Sequence, residues 1–144
     1  MEEREIDYST MPGSYEVCWH TACPLKDNCL RYLASSHLSD RRFVNSVNLN
    51  LVHPETGECE NQRPVATVRV AWGLRHIYDN LPYRIKDAVY SQIHYAIGNT
   101  TYYHYYNERK PIPPRVQEYI GQVFRQHGVN EPVAFRRYED RIDW

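Results

Sequence analysis

Cys18, Cys23, Cys29 and Cys59 are the only cysteines of the chain, spaced C-x4-C-x5-C-x29-C within the first 59 residues. Four thiolates suit a tetrahedral zinc ion, which is borderline-soft and binds sulfur well. Three ligands come from one short segment, stiffened by Pro24, and the fourth lies just past a turn. Cys29 is expected near a helix N-terminus, where the dipole favours a thiolate. An iron–sulfur cluster is the alternative cofactor, and unligated or disulfide-bonded cysteines are the bland reading. His20 and His53 lie close by, and either can replace a cysteine. With four protein ligands no coordination position stays open, so such a site holds the fold together and does not activate water.

A second group of residues points to binding. The run Thr101-Tyr102-Tyr103-His104-Tyr105-Tyr106 precedes Arg109, Lys110 and Arg115. Read as a β-strand, it offers Tyr102, Tyr103, Tyr105 and Tyr106 for stacking on bases while Arg109, Arg115 and Arg125 hold phosphates. The competing reading is a sheet with one aromatic face in the core. A helix from Pro114 would expose Arg115, Gln117, Gln122, Arg125 and Gln126, types that reach base edges or phosphates. Its separation from the preceding helix is some 15 residues with a strand between, against a turn of about 3–4 in a helix-turn-helix. Motifs for phosphate loops, dinucleotide binding, serine hydrolases and zinc proteases are absent. His94 and His104 are placed to meet across a helix–strand turn. Glu139, Asp140 and Asp143 are expected to pair with Arg136, Arg137 and Arg141.

These residues need elements to position them. A helix is expected from Asp27 to about His37, with Leu30, Leu33 and Ala34 on its apolar face. Residues 43–52 alternate, with Val47, Leu49 and Leu51 opposite Asn48 and Asn50, which predicts a strand. A turn follows at His53-Pro54-Glu55-Thr56-Gly57. Residues 64–71 predict a return strand running into a helix that carries Trp72, Leu74, Ile77 and Tyr78. Ile85, Val89, Ile93 and Ile97 recur every fourth residue and predict a helix over 83–97, ended by Gly98-Asn99. Val116, Ile120, Val123 and Phe124 predict another, opened by Pro113-Pro114 and stopped by Gly128. In the tail, Val133, Phe135, Tyr138, Ile142 and Trp144 are expected to pack back onto the body.

The chain has 144 residues, 42% of them hydrophobic, with a formal net charge of −1. That is enough to bury one core, and it gives no overall pull toward nucleic acid or anionic lipid. Four cysteines are too few for a disulfide scaffold. Residues 1–60 carry five Lys+Arg and ten Asp+Glu, whereas the remainder carry twelve and eight. Fourteen of the basic residues are Arg, which suits planar contacts with carboxylate or phosphate. The start is acidic, with no apolar run behind it, and no stretch is long enough to span a bilayer. A cytoplasmic location and no membrane partner are therefore expected.

Asp7-Tyr8-Ser9-Thr10-Met11-Pro12 and the segment Cys18…Cys23-Pro24…Cys29-Leu30-Arg31 resemble the start of an uncharacterised family of small bacterial proteins, found mainly in Bacteroidetes. Thr101-Tyr102-Tyr103, Asn107-Glu108-Arg109, the run 114–120 and the closing run 138–144 are similar to its second half. The likeness departs after Cys59, where Glu60-Asn61-Gln62 replaces an expected apolar or aromatic residue. The family carries a domain-of-unknown-function label, so the resemblance implies a single bacterial domain and supplies no activity.

The reading is a small single α+β domain over 1–144. A cysteine region (1–62) and short β-sheet precede a helical and aromatic-strand region (63–144) with two to three helices. The expected function is a non-enzymatic, zinc-stabilised binding module contacting nucleic acid or a protein through its Arg/Tyr-rich half. The alternative is an iron–sulfur or thiol-based redox protein.

Overall fold

The computed structural model describes residues 5–52 and 57–144. The turn expected at 53–57 therefore lies, Gly57 apart, outside the described residues, as does His53. The fold is α+β, with two compact units: residues 1–67 with 141–144, and residues 68–140.

In the first unit a 3-10 turn over Tyr8–Thr10 is capped by Asp7, whose carboxylate accepts the Ser9 N–H at 3.0 Å. Strand β1 (Glu16–Val17) pairs in parallel with β2 (Asn45–Ser46), Val17 opposite Ser46. Parallel neighbours require a crossover, and residues 18–44 supply it with three of the cysteines. The expected helix from Asp27 is shorter than its pattern. Lys26–Asn28 form a 3-10 turn, Cys29 is extended, and helix α1 covers only Leu30–Ala34. Behind it, the Ser35 and Ser36 hydroxyls donate to the carbonyls of Tyr32 and Leu33 (2.6 and 3.1 Å). Such local bonds compete with helix propagation.

The strand expected over 43–52 is reduced to β2. Its alternation faces no core: Phe43 is 87% exposed and Leu51 80%. The Asn48 side chain accepts the Asn50 N–H at 3.1 Å, turning the chain where pairing would continue. One apolar cluster of the unit is Met11, Val17 and Ala34, with Tyr15, Leu38 and Trp144 packed against it, and Cys29 and Leu30 are buried as well. Trp144 Nε1 donates to Thr10 Oγ1 at 2.9 Å.

The second unit is organised by strand β3 (Thr67–Trp72), helices α2 (Tyr83–Ile97), α3 (Asn99–Tyr106) and α4 (Pro114–Gln126), and strand β4 (Arg137–Ile142). β3 and β4 lie side by side in a two-stranded sheet, and Ala71 bridges Ile112 on β3's path. Leu74, Ile77 and Tyr78 are buried as expected of apolar residues. They lie on turns and not on a helix, because Gly73 leaves the strand at φ 88° and redirects the chain.

Helix α2 follows its stripe, with Val89 and Ile93 fully buried. α4 likewise buries Ile120, Val123 and Phe124, and Gly128 beyond it takes φ 83°. The expected strand over 100–106 is a helix. Gly98 ends α2 and its carbonyl at once accepts the Tyr102 N–H at 2.9 Å, so a second helix starts without a loop. Packing overrides β propensity here: Tyr102 and Tyr105, three residues apart, both turn into the core. The Tyr78 and Tyr102 hydroxyls share a hydrogen bond at 2.9 Å inside that core.

Candidate metal centre

Cys18 directly follows β1, and its N–H donates to the Arg31 carbonyl at 2.9 Å. Cys23 sits on the next turn, its N–H bonded to the His20 carbonyl at 3.2 Å and its own carbonyl accepting the Lys26 N–H at 3.3 Å. Cys29 is buried and forms the N-cap position of α1. That helix has five residues, so its dipole is a small influence.

Cys59 is returned to this region by hydrogen bonds that flank it. The Leu30 N–H donates to the Arg63 carbonyl at 2.7 Å. The Gln62 amide donates to the Asn28 carbonyl at 3.3 Å, and Arg31 Nε to the Asn61 carbonyl at 2.9 Å. Thus the segment after Cys59 is sewn to residues on either side of Cys29. Arg63 also grips the last residues, donating to the Asp143 carboxylate at 2.8 Å and the Trp144 carbonyl at 2.9 Å.

All four cysteines are free and line one cavity of about 20 Å³, with His20, Leu25 and Val47 among its other walls. A space needs roughly 10–15 Å³ to hold one water-sized sphere, so the cavity suits a single small occupant. Two sulfurs accept backbone N–H groups two residues on. Cys23 Sγ takes the Leu25 N–H at 3.4 Å, and Cys18 takes the His20 N–H. Such donors favour a thiolate. Burial nonetheless pushes the Cys18 thiol up, the His20 N–H works against it, and the neighbouring Cys29, Cys23 and Cys59 add to the rise. A cation among them would reverse that penalty.

The side chains surround the space without closing on one point. Among the described residues no three His, Cys, Asp or Glu side chains are arranged to hold an ion as they stand. His20 Nδ1 is buried and has no hydrogen-bond partner among the described residues. That orphaned nitrogen makes His20 the one described histidine beside the thiols that can take a ligand's place.

The second group of candidates is dispersed. Tyr102 and Tyr105 are buried, so neither ring can stack on a base without unpacking the core. Tyr103 is exposed, and Tyr106 is half-buried with the Arg75 guanidinium over its ring at 5.3 Å. Arg109, Arg115 and Arg125 are exposed, and Arg125 pairs with Glu118 at 3.0 Å. Gln117 does not face outward as expected. Its amide donates to the carbonyls of Ile112 and Arg69 (2.9 and 3.0 Å).

His94 packs on Tyr90 and Tyr102. Of the tail carboxylates, Glu139 stands 3.8 Å from Arg137, while Asp140 approaches Arg69 and Asp143 takes Arg63. The roles of Arg31 and Arg63 carried no sequence signal, because both act largely through backbone carbonyls.

Among the described residues no helix is long and apolar enough to cross a membrane. No curated protein and no solved structure matches the chain. A family model does match it, over residues 1–144, and the chain belongs to that family, described as a family of unknown function (DUF6078).

Proposed function

We propose that the protein is a non-enzymatic binding module whose cysteine-bearing unit is held by one zinc ion on Cys18, Cys23, Cys29 and Cys59. The observation that carries this reading is the four free thiols lining one ion-sized cavity, two of them already receiving backbone N–H groups. The unit's buried set is small: Met11, Val17, Cys29, Leu30 and Ala34 among the described residues, three of them in one apolar cluster. A metal cross-link between its turns supplies what so little burial does not. The cavity's size favours a single ion over an iron–sulfur cluster, which carries several metal and sulfide atoms. His20 is the alternative fourth ligand.

The test is elemental analysis of protein purified without added metal. One zinc per chain and no colour is the expected result. Iron with absorption near about 400 nm would instead favour a cluster.

The partner is a nucleic acid or a protein met by the basic half. With Tyr102 and Tyr105 in the core, the contacting groups reduce to Tyr103, the half-buried Tyr106, Arg109, Arg115 and Arg125. Affinity for an oligonucleotide that falls steeply with salt supports phosphate contacts, and affinity indifferent to salt rejects them.

A further inference from the structure

A separate cleft lies within the second unit. It encloses about 430 Å³, and its walls include Arg75, His76, Tyr106, Asn107, Glu108 and Arg136. Small-molecule sites occupy roughly 300–1,000 Å³ and set a few polar groups in a mostly apolar wall; this cleft has the volume but a mostly polar wall, which suits an ionic ligand. Here two guanidiniums, an imidazole and an amide converge with one carboxylate.

That carboxylate is already committed. Glu108 forms an ion pair with Arg136 and stands 3.7 Å from Arg137, with its own side chain only 24% exposed. Glu108 is the one non-glycine residue at positive φ (54°) among the described residues. It occupies the position after the α3 C-cap, where its N–H donates to the Tyr105 carbonyl at 3.2 Å and the Arg109 N–H to the His104 carbonyl at 2.8 Å. Glycine is the usual residue for that site. A glutamate there accepts backbone strain, and strain held by its surroundings gathers at functional sites. Gly73 opposite is held at φ 88°, and a Cβ on it would stand 3.0 Å from Arg136 Cβ. The close approach of Arg136 therefore depends on that glycine.

Arg75 is different. Among the described residues it has no carboxylate and no hydrogen-bond partner, only the face of Tyr106 beneath it. The ring holds the guanidinium over the cleft and leaves its N–H groups for a ligand. His76 is oriented by Asp79 through Nδ1 at 2.9 Å, which leaves Nε2. With Glu108 offsetting Arg136, the charge left in the cleft is that of Arg75. We infer that this cleft binds a small molecule bearing an oxyanion, a phosphate or a carboxylate, with Arg75 as its anchor and His76 and Asn107 as flanking polar contacts.

The test is a titration of the full chain with inorganic phosphate in one arm and succinate in the other, followed by amide NMR shifts. Saturable shifts at Gly73, Asn107 and Glu108 with either anion support the site, and the tighter anion names its chemistry. Arg75→Gln should weaken that anion's binding on the order of tenfold or more, the loss of a charge-assisted bond. Arg84→Gln, on exposed α2 surface outside the cleft, should leave it unchanged and shows that general charge is not responsible. No saturable binding of either anion, or equal binding by the Arg75→Gln variant with its spectrum otherwise folded, would overturn the assignment.

Discussion

The Cys18 N–H donates to the carbonyl of Arg31 at 2.9 Å, while the Arg31 side chain reaches back to the Glu16 carbonyl at 2.8 Å and across to Asn61 at 2.9 Å. One residue thus binds three stretches: the approach to Cys18, the helix after Cys29 and the segment after Cys59. Arg31→Ala should destabilise the cysteine-bearing unit by about 1–3 kcal/mol, since it leaves carbonyls without their charged donor. Arg41→Ala, which removes exposed contacts to Pro12 and Gly13, should cost less. Urea unfolding of the two variants checks the order, and equal costs would deny Arg31 this tying role.

Removing a thiol should act on metal and fold together. Cys23→Ser is expected to lower zinc content and reduce protection of the first unit, because a ligand set that assembles on folding couples the two. A chelator added to the unaltered protein should lower its melting temperature in the same way. Hydrogen exchange read by unit locates the effect: loss confined to residues 68–140 would be inconsistent with a metal in the cysteine cavity.

The tyrosine pair makes the second unit sensitive to alkali. Burial is the main cause that pushes Tyr78 up to about 12, against the opposing hydrogen bond from Tyr102, and Tyr102 is pushed up further still, first by burial. A folded pKa above the unfolded value of about 10 stabilises the fold fully below that pH. The contribution is then lost as pH rises through the folded value. For Tyr78 this amounts to roughly 2–3 kcal/mol, lost between about pH 10 and 12. Denaturant melts at pH 8, 10 and 11.5 should show the decline, and Tyr78→Phe should make it shallower while leaving the share that Tyr102 contributes.

Glu108 allows strain and pairing to be separated. Glu108→Ala keeps the left-handed backbone and loses both ion pairs. Glu108→Gly loses the pairs and releases the backbone. The glycine variant should therefore be the more stable of the two by about 1 kcal/mol. Matching unfolding free energies would mean that the φ of 54° carries no cost.

The parts of this fold legible in the sequence are those in which a repeated pattern meets one continuous core. Ile85, Val89, Ile93 and Ile97 announce α2, and Pro114 with Gly128 brackets α4. The 43–52 alternation misleads because, among the described residues, only Glu16–Val17 pairs with it, so Phe43 and Leu51 stay in solvent. Tyr102 to Tyr106 mislead because aromatic residues fill a strand or a helix face equally well. The choice was made by Gly98 and by the partners Tyr78 and Tyr90.

At the candidate site, residue type alone singled out the cysteines. Their gathering along one cavity was not legible, since it depends on Arg63, Gln62 and Arg31 bonding to main-chain carbonyls. The left-handed glutamate was equally hidden: Asn107-Glu108 reads as ordinary loop until Arg136 and Arg137 arrive from the far end of the chain.

X-ray absorption at the zinc edge of the as-purified protein tests the account at its centre. Four sulfur neighbours at about 2.3 Å are expected from Cys18, Cys23, Cys29 and Cys59. A shell made of nitrogen and oxygen at about 2.0–2.1 Å, or no bound zinc to measure, would contradict it.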